Sequence, residues 1–146
     1  MKYLVDTNVW LEVLLEQERS DECKEFFQNV ETNLIAISEF SLYSIGIILC
    51  RLYKDELFGN FLDDIMSSFV SKINLEIDEI KYLLQIRKAY NLDFDDAYQY
   101  VVAEKYSLTI ISFDSDFDKT PLGRKNPKRT VRRSEIISSK MNFKNA

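Results

Sequence analysis

Hydrophobic residues along the chain form short runs of strand length that alternate with longer segments of helical spacing. Strands are predicted over 2–5, 33–37, 73–77 and 109–113. Helices are predicted over 9–15 and 55–69, and four more are expected to follow the capping residues Ser20, Ser38, Asp78 and Asp93. This alternation predicts an α/β domain whose mainly parallel sheet is covered by helices on both faces.

Proline interrupts this pattern only near the end of the chain, at Pro121 and Pro127. We therefore expect a compact body up to about residue 118, followed by a basic segment over about 119–146 that packs on the body or extends from it. A short edge strand around 130–132 is an alternative for part of this segment. The length of 146 residues fits one domain, 1–146.

The sequence contains no histidine, which narrows the possible chemistry. Ser-His-Asp and Cys-His catalysis, imidazole zinc sites and two-histidine phosphodiester cleavage are excluded. Cys23 and Cys50 lack a C-x-x-C spacing and are expected to be free thiols of a reducing compartment. Because no apolar run is long enough for a bilayer and Asp6 comes too early for a signal peptide, we expect a cytoplasmic protein that does not contact the membrane.

The net charge of −5 is divided unevenly along the chain. Residues 92–118 carry seven acids and one base, whereas residues 119–133 carry no acid and the bases Lys119, Arg124, Lys125, Lys128, Arg129, Arg132 and Arg133. These bases form either an RNA-binding strip, whose affinity would fall with salt, or a solvated tail. We favour substrate contact by Arg124, Lys125, Lys128 and Arg129, because an acidic pocket alone would repel a polyanion.

Acids follow the predicted strands at the edge where parallel sheets bind ligands. Asp6 ends the first strand, Glu39 follows the second, and Asp114 and Asp116 follow the last. Asp96 lies in the first turn of the preceding helix, which reaches the same edge. Several carboxylates in one pocket need a cation to stay ionised together, and Mg²⁺ or Mn²⁺ prefers such oxygen ligands. A metal of this kind activates water for phosphodiester hydrolysis.

Neutral polar groups surround these acids, and some acids have simpler explanations. Thr7 and Asn8 follow Asp6 and can hydrogen bond a ligand, a water molecule or a phosphate. Asp93 suits a helix cap, and Asp118 suits a solvated position. Taken singly, each acid can be explained in these ways, but their joint occurrence at strand ends favours a metal site.

Four segments resemble, in order, the motifs of the PIN domain family: 3–11, 37–40, 92–97 with 101–104, and 110–117. The resemblance implies a Rossmann-like sheet of four to five strands in the order 3-2-1-4-5. It also implies catalysis by Asp6, Glu39, Asp96 and Asp114, with Asp116 as a further metal ligand. Asp96 is preferred to Asp95 because it directly precedes Ala97, as in the family. Ser112 stands where threonine is more usual and keeps the hydroxyl, so it is a candidate for substrate binding.

Many short stand-alone PIN proteins are VapC-type toxins, which commonly dimerise and are inhibited by an antitoxin that enters the active site. The resemblance therefore implies a Mg²⁺- or Mn²⁺-dependent endoribonuclease with an RNA substrate, an antitoxin partner and a homodimeric state. Two alternatives remain open. One is a non-catalytic PIN scaffold that binds RNA or protein, and the other is an aspartate-based phosphatase or phosphotransferase, although the sequence after Asp6 lacks the second acid of a D-x-D pair.

Aromatic and apolar side chains leave two structural questions open. Four aromatic residues suit either stacking on unpaired bases or packing on the sheet: Trp10, Tyr43, Tyr98 and Tyr100. Packing is the preferred interpretation for the first two. The apolar residues Leu57, Phe58 and Phe61 suit either an exposed dimerisation arm or the core.

Overall fold

The computed structural model describes residues 1–130, and within them four strands form one sheet. The strands are β1 (Tyr3–Val5), β2 (Ile35–Ser38), β3 (Ser71–Ile73) and β4 (Thr109–Ile111). All their pairings are parallel, and their order is β3-β2-β1-β4. The predicted α/β class, the parallel sheet and the 3-2-1-4 part of the order are therefore confirmed.

Six helices within residues 1–130 cover both faces of this sheet. They are α1 (Thr7–Leu14), α2 (Ser20–Asn29), α3 (Glu39–Arg51), α4 (Asp55–Ser67), α5 (Ile77–Tyr90) and α6 (Phe94–Tyr106). Because side chains alternate along a strand, Tyr3 and Val5 pack with α1 to α4, while Leu4 packs with α5 and α6. The central strand is buried on both faces, as expected for a parallel sheet between helical layers.

A fifth strand is not present among residues 1–130. At the place where it would lie, Lys125 forms an isolated parallel bridge with Ile111. The predicted basic segment begins packed on the domain, since Pro127 and Thr130 are buried and the short 3-10 turn Pro127–Arg129 contacts α2. Residues 131–146, including most of the alternative edge strand at 130–132, lie outside the described residues.

The predicted bounds of the third strand, 73–77, and the predicted cap of the following helix, Asp78, are wrong. The alternation at Ile73, Leu75 and Ile77 suggests a strand, but β3 ends at Ile73 and Ile77 is 87% exposed as the first residue of α5. Glu76 caps α5 in place of Asp78, because Glu76 and Glu79 form a reciprocal capping box. The capping box therefore starts α5 at Ile77, although the alternating pattern of apolar residues continues to that position.

Most of the aromatic and apolar candidates pack in the core. Trp10, Tyr98 and Tyr100 are buried, and Phe61 contacts Trp10 with ring centroids 5.4 Å apart. Leu57 and Phe58 pack against the same core, so they do not form an exposed arm. The packing interpretation is wrong for Tyr43, which is 57% exposed. In the part of the chain described, no helix has both the length and the hydropathy that crossing a membrane requires.

Gly46 allows α3 and α4 to pack closely, and this contact generates a stability prediction. A Cβ atom at Gly46 would lie 2.8 Å from Cζ of Phe58, whereas one at Gly59 would meet nothing within 4 Å. We expect Gly46→Ala to lower the free energy of unfolding by about 1–3 kcal/mol through overpacking. We expect the control, Gly59→Ala, to raise it by about 0.5–1 kcal/mol, because alanine favours a helix. Urea denaturation measures both, and equal effects would contradict the packing argument.

Candidate metal centre

Asp6 is the central carboxylate of the site and is only 6% exposed. It ends β1 and caps α1, so its Oδ1 accepts the backbone N–H of Thr7 at 2.9 Å. Oδ1 also accepts a hydrogen bond from Nε2 of Gln99 at 3.0 Å, and Oδ2 accepts one from the Ser112 hydroxyl at 2.7 Å. Burial raises the pKa of Asp6, while the hydrogen bonds from Gln99 and Ser112 lower it. Asp6 is therefore a buried, oriented carboxylate.

The predicted neutral residues Thr7, Asn8 and Ser112 form hydrogen bonds with other protein groups around the site. Ser112 Oγ accepts hydrogen bonds from Asn8 Nδ2 at 3.3 Å and from the backbone N–H of Asp114 at 2.9 Å. Asn8 Oδ1 accepts the N–H of Phe113 at 3.3 Å. Thr7 donates its hydroxyl to Ser41 Oγ at 2.8 Å. These contacts join the end of β4 to the end of β1, so Thr7, Asn8 and Ser112 already have partners in the protein.

Asp96, Asp114 and Asp116 converge beside Asp6. One oxygen from each of these three carboxyl groups lies within 4.8 Å of the others. Asp96 is 6% exposed, and its burial together with a hydrogen bond to the Asp114 carboxyl raises its pKa to about 8. Asp116 lies nearer solvent and forms an ion pair with Lys119 at 3.5 Å. The donor set is all oxygen and strongly favours positive charge, which fits a divalent cation such as Mg²⁺ or Mn²⁺.

The carboxylates line a cavity of about 520 Å³. Its acidic lining residues are Asp6, Asp95, Asp96 and Asp114. Its apolar lining residues are Leu11, Phe40, Ile48 and Phe94. Among the described residues that line the cavity there is no lysine or arginine. The cavity therefore combines a cation-binding side with an apolar wall.

Glu39 does not line this cavity, and its predicted role as a catalytic acid and metal ligand remains a prediction. Its carboxylate accepts a hydrogen bond from the Tyr43 hydroxyl at 2.7 Å and one from Asn74 Nδ2 at 3.4 Å. It also forms an ion pair with Lys72 of β3 at 3.6 Å. The hydrogen bond from Tyr43, together with Lys72, lowers the pKa of Glu39. Glu39 thus stays ionised in a salt bridge outside the cavity.

Helix phase explains why Glu39 is excluded. The residues of α3 that line the cavity are Phe40, Ser44 and Ile48, which are four apart and therefore share one face. Glu39 precedes Phe40 by one residue and points about 100° away around the helix axis. A carboxylate that directly follows a strand lies at the edge of the sheet where ligands bind. A carboxylate on the next helix reaches the cavity only if it lies on the face of the helix that lines the cavity.

The basic residues Arg124, Lys125 and Lys128 do not line this cavity. Arg124 donates to both carboxylate oxygens of Asp118, at 3.2 and 3.3 Å, and to the carbonyl of Ser112 at 3.1 Å. Arg124 and Lys125 line a second cavity with Asp118, and Lys128 is exposed. The side chain of Arg129, like Arg132 and Arg133, falls outside the described part of the structure. The predicted RNA contacts of Arg124, Lys125, Lys128 and Arg129 remain a prediction.

Gln99 and Ser41 belong to the site but were not found by sequence reasoning. Gln99 lines the cavity, and its amide donates to Ser41 as well as to Asp6. A weak signal was present, since Gln99 lies three residues after Asp96 within a run of otherwise buried residues of α6. An amide on the buried face of a helix needs a polar partner, and the partner of Gln99 is Asp6.

The raised pKa of Asp96 leads to a prediction about stability. In the metal-free protein, folded Asp96 keeps a proton between about pH 4 and pH 8 that the unfolded chain releases. The stabilisation from this group is complete below pH 4 and is lost as the pH rises towards 8. We expect Asp96→Asn, which has no such proton, to gain about 1 kcal/mol or more over wild type between pH 4.5 and pH 8.5, even after solvent screening is allowed for.

Denaturation in EDTA at several pH values measures this difference. Asp63→Asn is the control, because Asp63 is exposed on α4 and does not line the cavity. A constant difference between Asp96→Asn and wild type across this range would contradict the raised pKa.

Solved structures share this fold. A chain of a toxin-antitoxin complex from Klebsiella pneumoniae has a TM-score of 0.69 and 22% identity, over 86% of this chain and 98% of that one. VapC20 of Mycobacterium tuberculosis, described as a toxin that cleaves the sarcin-ricin loop, has a TM-score of 0.70 and 18% identity, over 80% of this chain and 93% of that one. A chain of VapBC2 from Rickettsia felis, bound to a DNA fragment from its promoter, has a TM-score of 0.63 and 19% identity, over 86% of this chain and 98% of that one.

The sequence comparisons address the family directly. No curated protein sequence matches the chain. The profile of the PIN domain matches residues 3–122, a span that contains all four strands, all six helices and the carboxylate cavity. This chain belongs to the PIN domain family.

Proposed function

We propose that this protein is a Mg²⁺- or Mn²⁺-dependent endoribonuclease and the toxin of a type II toxin–antitoxin pair. The observation that carries the proposal is the convergence of Asp6, Asp96 and Asp114 on one cavity. The raised pKa of Asp96 supports it, because two of these acids share a proton when no cation is present. The family and the toxins of similar fold support the choice of RNA as the substrate.

In this proposal Asp6, Asp96 and Asp114 hold the ion, and Asp116 completes the site at its outer edge. When bound, the ion lowers the pKa of a water molecule and offsets charge on the scissile phosphate. The protein contributes position and charge: Ser112 and Gln99 fix Asp6, and Ser112 also binds the N–H of Asp114. The N-terminal turns of α1 and α6 add partial positive charge beside Asp6 and Asp96.

Two other functions fit the site less well. An aspartate phosphotransferase needs an accessible nucleophile, whereas Asp6 is 6% exposed and accepts three short hydrogen bonds. Labelling of Asp6 by beryllofluoride would revive that hypothesis. A non-catalytic scaffold would have no need for clustered buried acids, whose proximity costs free energy without a cation. Tight RNA binding without metal-dependent cleavage would support the scaffold.

The metal-dependent reaction gives the first functional prediction. We expect RNA cleavage with Mg²⁺ or Mn²⁺, none in EDTA, and a loss of at least about 100-fold in Asp6→Asn and in Asp96→Asn, because each variant removes an ionised ligand. Gel analysis of cleaved RNA measures these rates, and the exposed Asp63→Asn provides the matched control. Cleavage that persists in EDTA, or full activity in both site variants, would refute the assignment.

The apolar wall of the cavity gives a prediction about substrate binding. Phe94 is 43% exposed and lies 6.0 Å from Phe40, measured between ring centroids. An unpaired base stacked on Phe94 would place its phosphate towards the acidic side, and such stacking contributes about 1–3 kcal/mol. We expect Phe94→Ala to raise KM for a single-stranded oligoribonucleotide by about fivefold or more. Leu84→Ala, which alters an exposed apolar side chain of α5 outside the cavity, is the control, and an unchanged KM in Phe94→Ala would rule out stacking.

The proposal also includes an antitoxin and a homodimer. Support for the antitoxin comes from the similar chain in a toxin-antitoxin complex and from VapBC2. Apolar side chains exposed on and near α3 and α4 supply surface for a protein interface: Tyr43, Ile47, Leu52, Tyr53, Met66 and Phe69. Sedimentation equilibrium of the purified chain distinguishes a dimer from a monomer, and binding to the product of an adjacent gene tests the antitoxin.

A further inference from the structure

Gln99 is a buried amide at the base of the carboxylate cavity. It is 1% exposed, lies on α6 and is surrounded along that helix by buried apolar neighbours such as Ala97 and Val102. Its Nε2 atom donates to Asp6 Oδ1 at 3.0 Å and to Ser41 Oγ at 2.7 Å. One amide hydrogen of Gln99 therefore binds Asp6, and the other binds Ser41 of α3.

The oxygen of the same amide has no partner among the described residues. Gln99 Oε1 is buried and accepts no hydrogen bond, which costs free energy. Rotating the amide by 180° would turn Oε1 towards the Asp6 carboxylate, where two acceptors would repel each other. A methionine or leucine would fill this space without the unsatisfied oxygen, so packing alone does not explain a glutamine here.

The contacts of Gln99 restrict how Asp6 can present its oxygens. Oδ1 is held by Gln99 and the N–H of Thr7, and Oδ2 is held by Ser112 at 2.7 Å and by a longer contact from Asn8 Nδ2 at 3.5 Å. These contacts fix the orientation of the carboxylate, and the contact from Asn8 is the weakest of them, so it is the one that a cation displaces most readily. Ser41 Oγ, which accepts from Gln99, also accepts the Thr7 hydroxyl at 2.8 Å, and this ties Gln99 to both sides of Asp6.

We propose that Gln99 is a positioning residue of the metal centre, which fixes the Asp6 carboxylate in the orientation that presents an oxygen to the cation. Ser41 assists by holding the second amide hydrogen of Gln99 in place. The inference rests on the proposed metal site but not on the identity of the substrate. It assigns Gln99 no contact with the RNA.

The test measures the affinity for Mn²⁺, by electron paramagnetic resonance, in Gln99→Met. Methionine keeps the length of the side chain and removes the donor, so we expect Mn²⁺ to bind about 10-fold more weakly, as for other residues that orient metal ligands. We expect the melting temperature in EDTA to change little, because the loss of two hydrogen bonds opposes the removal of the unsatisfied oxygen. Gln85→Met is the matched control, since Gln85 is exposed on α5 and should leave both quantities unchanged.

Ser41→Ala supplies a second variant that does not alter Gln99. We expect a smaller loss of Mn²⁺ affinity, about threefold, and no further loss when Ser41→Ala is added to Gln99→Met, because both act through the same amide. Full additivity of the two losses would contradict a shared role. Saturating Mn²⁺ should restore RNA cleavage in Gln99→Met.

The outcomes separate this inference from the proposed function. Unchanged Mn²⁺ affinity in Gln99→Met, with a lower melting temperature, would mean that Gln99 has only a packing role, and the ribonuclease proposal would stand. Weaker Mn²⁺ binding in Gln99→Met, with no RNA cleavage by wild type, would support the positioning role and overturn the ribonuclease. Failure of wild type to bind Mn²⁺ would overturn both.

Discussion

The repulsion between carboxylates gathered in one sheltered cavity is the constraint on which the rest of this structure depends. Asp6, Asp96 and Asp114 meet there because a parallel sheet brings the carboxyl ends of its strands to one edge, together with the start of α6. The fold offsets part of the repulsion with helix N-termini and with hydrogen bonds from Gln99 and Ser112. Burial, together with the remaining repulsion from neighbouring carboxylates, raises the pKa of Asp96, and both effects make the cavity favourable for a cation.

The polar network beneath the cavity is as informative as the acids. Thr7, Asn8 and Ser112 are the kind of residues expected to contact a substrate, yet each is engaged inside the protein. Asn8 and Ser112 connect the ends of β1 and β4, and Thr7 connects α1 to α3. Asp6 and Asp114 are thereby held facing the same cavity.

Sequence reasoning predicted the parts of the site that follow from topology. Alternating strands and helices imply a parallel sheet, and this alone places Asp6 and Asp114 at one edge. Glu39 lies outside the cavity because its direction depends on helix phase, which differs by about 100° from one residue to the next and was not considered in the sequence argument. Gln99 was missed because its partner lies 93 residues away, and no local pattern reveals such a contact. The end of β3 was misjudged because the capping box at Glu76 overrides an alternating pattern.

Among the described residues, no lysine or arginine lines the acidic cavity, and this has a kinetic consequence for the proposed ribonuclease. Until a cation is present, the field of the cavity opposes the approach of a polyanion, and its strength is greatest at low ionic strength. A bound divalent ion would reverse the sign of this interaction at the reacting centre. Loading of the proposed enzyme would then be ordered, with the ion first and the RNA second, and the concentration of free divalent ions would set how often an encounter becomes productive.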